Sequence, residues 1–177
     1  MEPNVLKKKN KSLIYQKDYL RKLKIRKKTY LPDYKFNDPL VTRFVSHIIK
    51  KGKKTLAYKI FYDSMKSIDL NKGNQKMGAL EIWKEALKNV MPHVEIKARR
   101  VGGSNIQIPV ILPSEIKITR SIKYLIESAR KRKGKSMADR LALESIAASK
   151  GEGMAVKSKE NLQKMAEANK AFSHFRF

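Results

Sequence analysis

Apolar residues recur along this chain at two different spacings, and the change from one to the other separates helices from a hairpin. Asp38-Pro39 is a helix start, a capping side chain followed by a residue whose missing N–H costs nothing there. Leu40, Val41, Phe44, Val45, Ile48 and Ile49 then mark one buried helical face, with Gly52 as the stop. A second helix from about Thr55 turns Leu56, Ile60, Phe61, Met65 and Ile68 inward, and Lys72-Gly73-Asn74 connects it to a third. The third buries Leu80, Trp83, Leu87 and Val90, and Pro92 closes it. Trp83 reads as core packing.

The period then drops to two. Val94, Ile96 and Ala98 alternate with Glu95, Lys97 and Arg99, and Ile106, Ile108 and Val110 continue the alternation on the return. Arg100 to Ser104 is turn chemistry, because Gly102 and Gly103 permit positive φ. Pro109 predicts an exposed, unpaired edge where it interrupts the strand. A lone two-stranded ribbon is marginal in water, so it must lean on the body or on a partner. Helical spacing resumes with a helix capped by Ser114 that carries Ile118, Ile122, Leu125, Ile126 and Ala129. Ser136 with Asp139 resembles a capping box and opens a helix through Met137, Leu141 and Ile146. After Gly151 and Gly153, Ser158 starts a last helix with Leu162, Met165 and Phe172 on its apolar side. The predicted fold is mainly α: a six-helix domain with a two-stranded β-ribbon, at about 93–112, between helices three and four. No internal repeat is visible.

Charge adds what periodicity cannot. The 177 residues hold 41 Lys+Arg against 16 Asp+Glu, a formal net charge of +25. Self-repulsion on that scale opposes compaction unless a polyanion neutralises it. With hydrophobic residues at 41%, the chain can still bury a core. Two blocks follow: a basic N-terminal extension, 1–30, and a single helical domain, 31–177. Residues 1–28 alone carry eleven Lys/Arg, among them Arg26, Lys27 and Lys28, against Glu2 and Asp18. Leu13, Tyr15, Tyr19, Leu20 and Leu23 interleave with those charges, a pattern fit for a basic helix on RNA. No apolar run approaches the roughly 18 residues that span a bilayer, so no membrane partner is expected. Met1 to Lys11 lacks the apolar stretch of a secretory signal. There are no cysteines for disulfides or thiolate zinc sites.

Catalytic chemistry is missing from the pattern. His47, His93 and His174 stand apart from any metal-ligand spacing, carboxylates are dispersed, and Gly102-Gly103 lacks the following helix N-terminus of a phosphate loop. No catalytic residue, metal or cofactor is expected, and no enzyme. Cations instead gather in three places: the N-terminal block, the hairpin with Lys97, Arg99 and Arg100, and Arg130-Lys131-Arg132-Lys133-Gly134-Lys135. Charge runs are usually solvated faces, but at +25 that would leave most of the cations idle. Lys and Arg on phosphates release counterions and give affinity without sequence selectivity.

Four motifs in this order resemble the bacterial form of the universal small-subunit ribosomal protein seven family, over roughly residues 30–177. They are Asp38-Pro-Leu40 with Phe44-Val45, Gly52-Lys53-Lys54, Ile60-Phe61 and Ser64; Val94 to Ser104 with Gln107-Ile-Pro109; Ala129-Arg-Lys-Arg with Lys135-Ser-Met-Ala138; and Met165 to Phe172 with His174-Phe-Arg-Phe177. The resemblance implies a structural, non-enzymatic RNA-binding protein of translation. Family members bind the 3′ domain of small-subunit rRNA, nucleate assembly of the subunit head, and lie at the subunit interface near the decoding centre. Carried onto matching positions, Lys53, Lys54 and Arg130, Lys131, Arg132, Lys133, Lys135 contact rRNA, with Arg26, Lys27 and Lys28 beside them. Lys97, Arg99, Arg100, Gly102, Gly103 and Ser104 form a ribbon near exit-site tRNA and mRNA. Small-subunit proteins nine and eleven are the implied protein neighbours, in a cytoplasmic ribosome of bacterial type, with an organellar one left open. The chain departs from the family pattern in a longer N-terminal region and a lengthened connection around Gly73–Met77. Tyr34 stands where proline is frequent, and Ile106 where an aromatic is frequent. From another class, a DNA-binding architectural protein shares the charge and the ribbon arm.

Overall fold

The computed structural model describes residues 29–73, 77–134 and 136–175. Arg26, Lys27, Lys28 and Lys135, the interleaved N-terminal segment and the C-terminal Arg176-Phe177 lie outside the described residues. The described elements are α1 (Pro39–Ile48), α2 (Lys54–Asn71), α3 (Ala79–Val90), β1 (Val94–Val101), β2 (Ser104–Ile111), α4 (Ser114–Lys131), α5 (Met137–Ser149), α6 (Met154–Ala168) and a 3-10 turn (Lys170–Phe175). Six helices with a ribbon between the third and fourth match the sequence expectation.

Local chemistry accounts for two of the starts. Asp38 Oδ1 accepts from Leu40 N at 2.8 Å with Pro39 in the first turn of α1. Ser136 Oγ accepts from Asp139 N at 3.1 Å and donates to Asp139 Oδ2, opening α5. Ser114, by contrast, makes no side-chain cap; Pro113 precedes α4. What anchors the start of α4 is Arg43 of α1, which donates to Glu115 Oε2 at 2.9 Å and to Thr119 Oγ1 at 2.7 Å.

Phe44, Phe61 and Trp83, all fully buried, meet with ring centroids 5.7, 5.1 and 5.3 Å apart and lock α1, α2 and α3 together. Helix α5 packs against α2, α3 and α4. It presents Ala138, Ala142, Ser145 and Ala148, small side chains that let three helices approach it, with Leu141 filling the space between. Asn89 of α3 donates to the carbonyls of Ala148 and Ser149, capping α5 from a neighbour.

Several inward expectations fail at the rim of this core. Leu56, Met165 and Phe172 are 50%, 48% and 38% exposed, and Phe172 lies in the 3-10 turn, not in the last helix. That helix starts at Met154, earlier than Ser158. The cause is Glu144 of α5, whose fully buried carboxylate accepts from Ala155 N at 2.8 Å and so satisfies the first turn of α6 from outside.

Candidate nucleic-acid interface

The turn between α1 and α2 places Lys51 and Gly52 in succession at φ 51° and 74°. A left-handed lysine is costly by itself, and the glycine beside it lets the chain reverse within a few residues. The result is a short turn displaying Lys50, Lys51 and Lys53 to solvent. Some eighty positions later, the end of α4 and the start of α5 bring Arg130 and Arg140 to the same place. Together the five cations surround a groove of about 380 Å³ whose floor is Leu56, Ile60 and Met137, and no carboxylate among the described residues lines it. Arg140 is held there by bonds from Nε to Ser136 O at 3.2 Å and from Nη1 to Arg130 O at 3.3 Å. Gly134 makes room for it, since a Cβ there would stand 2.8 Å from Arg140 Cγ.

Like charges around one groove repel each other, and the repulsion is relieved when an anion enters. The apolar floor suits sugars or base edges, while the rim suits phosphates. Of these five groove residues, sequence reasoning names Lys53 and Arg130 but not Lys50, Lys51 and Arg140. The first two were legible in the continuous run Lys50-Lys51-Gly52-Lys53-Lys54; Arg140, on an ordinary helix face, carried no local signal.

Other expected residues separate from this groove. Lys54 faces a different recess, its Nζ 5.9 Å from the ring centre of Tyr58. Lys131 and Lys133 are exposed on the loop side. Arg132 is engaged inward: its Nε donates to Glu144 Oε2 at 2.8 Å. A buried carboxylate is tolerable only with such partners, so this cation has a structural duty its neighbours lack.

In the ribbon, Val94 pairs with Ile111 and Val101 with Ser104, leaving Gly102 and Gly103 as the two turn residues at φ 57° and 89°. Both being positive is the requirement of a hairpin turn that follows the strands' own twist. Lys97 and Arg99 stand on one face opposite Ile108 and Ile106; Arg100 stands on the other, opposite Asn105. Lys97, Arg99, Arg100 and Ser104 are exposed, so the tip offers cations on both faces.

The base of the ribbon is anchored. Glu95 pairs with Arg120 of α4, β1 contacts α6, and β2 contacts the 3-10 turn. This corrects the expectation for Pro109, which pairs in register with Ile96 and is buried. An antiparallel ladder accepts proline where the missing N–H is not needed, and the C-terminal segment covers this part of β2. Among the described residues no three His, Cys, Asp or Glu side chains cluster as metal ligands. None of the described helices is long and apolar enough to cross a membrane.

The family model described as ribosomal protein S7p/S5e matches residues 20–170. The chain is 54% identical over 158 residues to the small ribosomal subunit protein uS7 of Karelsulcia muelleri (strain GWSS), covering 89% of this chain and all of that protein. It is also 54% identical to the protein of that name in Flavobacterium johnsoniae, with the same coverage. The protein so named in Bacteroides fragilis (strain YCH46) is 49% identical over 158 residues, again 89% of this chain and all of that protein.

Proposed function

Because this chain belongs to the ribosomal protein S7p/S5e family, a structural and non-enzymatic family, we propose that it is a constituent of the small ribosomal subunit. In this reading it binds the 3′ domain of small-subunit rRNA directly and nucleates assembly of the head. It lies at the subunit interface near the decoding centre, within a cytoplasmic ribosome of bacterial type. Small-subunit proteins nine and eleven are its protein neighbours. The name those relatives carry, small ribosomal subunit protein uS7, supports the ribosomal setting.

The observation that carries RNA binding is the convergence of Lys50, Lys51, Lys53, Arg130 and Arg140 around one groove without a carboxylate among the described residues. These residues, with Lys131 and Lys133 beside them, neutralise rRNA phosphates, and the helical body holds RNA segments in one relative orientation. Arg26, Lys27, Lys28 and Lys135 add to that charge, and residues 1–30 act as a basic extension to the helical domain. The ribbon tip, with Lys97, Arg99, Arg100 and Ser104 around the Gly102-Gly103 turn, faces exit-site tRNA and mRNA.

The test is competition at physiological salt between labelled 3′-domain rRNA, duplex DNA and unrelated folded RNA. A preference of about a hundredfold or more for the rRNA is expected, on the scale of specific over non-specific binding. Equal competition by all three would favour a DNA-binding architectural protein instead. In the same assay Lys53→Ala/Arg130→Ala should flatten the salt dependence by about 0.9 for each phosphate left without its cation. An unchanged slope would remove the groove from the interface.

A further inference from the structure

Away from the groove, three tyrosines collect at one place, Tyr34 fully exposed and Tyr58 and Tyr62 half-buried. Residues Thr29 to Tyr34 lie beside α2 and leave a recess of about 560 Å³ lined by Tyr34, Tyr58, Tyr62 and Lys54. Lys54, Tyr58 and Tyr62 sit four residues apart on one stripe of α2. The rings of Tyr58 and Tyr62 are 5.9 Å apart and inclined by 32°, nearly a continuous aromatic wall. Lys54 Nζ stands beside that wall, and Lys35 Nζ lies 5.6 Å from the Tyr62 ring centre.

The wall is preorganised by a buried carboxylate. Asp33, only 4% exposed, accepts from Lys35 N at 3.1 Å and Phe36 N at 3.2 Å, which pins the turn. Its other oxygen accepts from Tyr62 Oη at 2.8 Å, which fixes the ring. At the mouth, Tyr34 is fully exposed and Leu31 is 82% exposed. Two neighbouring large side chains therefore stand in water at the mouth, accessible to a ligand. Tyr34 also departs from the proline that the family pattern favours at this position. The ribbon, by contrast, offers Ile106 where an aromatic is frequent, and Phe44, Phe61 and Trp83 are sealed in the core.

We propose that this recess receives an unpaired base of an RNA strand, which stacks on Tyr58 between Tyr34 and Tyr62 while Lys54 holds a flanking phosphate. Tyrosine faces stack on any base, and a cation at the rim supplies the charge complement that a chain of +25 already favours. The inference rests on the RNA-binding reading above and adds to it a single-stranded specificity that the groove does not supply. It also explains why Lys54 and Lys53, adjacent in sequence, face different surfaces: one serves the groove, the other the recess.

The test uses the full chain with three probes: a fluorescent oligoadenylate single strand, a duplex RNA of the same length, and free AMP. Tyr58→Ala and Tyr34→Ala are each expected to weaken single-strand binding roughly five- to a hundredfold, the range found when a base-stacking aromatic is removed. Duplex binding should stay at the wild-type level in both, and Tyr58→Phe should bind the single strand as wild type does. Tyr34 is fully exposed, so its variant isolates the recess from any effect on folding. Wild-type single-strand affinity in both alanine variants would overturn the proposal while leaving RNA binding intact. So would an equal loss for duplex RNA, a failure of Tyr58→Phe to rescue, or AMP binding as tightly as the strand. If the unmodified protein binds neither strand nor duplex, the RNA-binding reading itself falls, and the recess proposal with it.

Discussion

Arg132→Ala separates a structural cation from the solvent-exposed cations around it. In the folded chain Arg132 Nε donates to Glu144 Oε2 at 2.8 Å; the Glu144 side chain is 0% exposed and that of Arg132 30%. Removing the cation leaves a buried carboxylate with Ala155 N–H as its remaining partner. Breaking a buried pair from one side costs about 3–5 kcal/mol, and the partial exposure of Arg132 places this case near about 3 kcal/mol. For a chain of this size each kcal/mol moves the midpoint by roughly 2–4 °C, so Tm should fall by roughly 6–12 °C. The reverse change is milder. Glu144→Gln keeps an acceptor for Ala155 and releases a partly hydrated arginine, for a cost of about 1–2 kcal/mol. Thermal and urea denaturation of the free protein, followed by far-ultraviolet circular dichroism, measures both. Lys131→Ala and Lys133→Ala, at exposed sites, serve as controls and should stay within about 0.5 kcal/mol of wild type. If Arg132→Ala melts with those lysine variants, the Glu144 contact does not support the fold, and Arg132 is one more cation free for RNA.

Gly153 and Gly151 bracket the same corner and should respond differently to alanine. Both have positive φ, but a Cβ at Gly153 would also stand 2.9 Å from Glu144 Oε1 and 3.3 Å from Ala147 Cβ, whereas Gly151 has open space. Gly151→Ala should cost about 1 kcal/mol from the backbone, and Gly153→Ala at least twice that, roughly 2–4 kcal/mol; equal losses in urea denaturation would show that the contact is irrelevant. Tyr62 supplies a pH signature, because burial first, then the Asp33 carboxylate, pushes its phenol from 10.0 up to about 12. A raised folded value means that the stability it contributes is fully present below pH 10 and is lost as pH rises from 10 to about 12. Spectrophotometric titration should therefore show a late-ionising component at about 12 that is absent in Tyr62→Phe and moves toward ordinary pH in Asp33→Asn. It is distinct from Tyr124, which burial also raises. A Tyr62→Phe difference curve centred at the ordinary tyrosine value would contradict the Asp33 contact.

Much of the fold was legible because its signals are local. Asp38-Pro39 and Ser136-Asp139 satisfy helix N–H groups within three residues of themselves, so a reader of the sequence sees cap and helix together. Gly102-Gly103 between two alternating runs determines a hairpin for the same reason. The start of α6 was misplaced because its cap is Glu144, a side chain from another helix. Ser158, an eligible capping residue by type, bonds instead back to Met154 O within the helix. Pro109 and Phe172 were misassigned in opposite directions, since each depends on how the C-terminal turn lies over β2.

The sequence by itself determined that this chain is a basic, mainly helical body with a charged hairpin arm, because periodicity, capping and net charge are properties of neighbours and of sums. Only the tertiary structure decided which cations act together. Packing of α5 against α2 and α4 carries Arg130 and Arg140 to the lysine turn. The 100° step of a helix sends Lys54 away from Lys53's groove to the tyrosines, and a buried glutamate turns Arg132 inward. Those assignments depend on distances between residues far apart in the chain, and no local pattern records them.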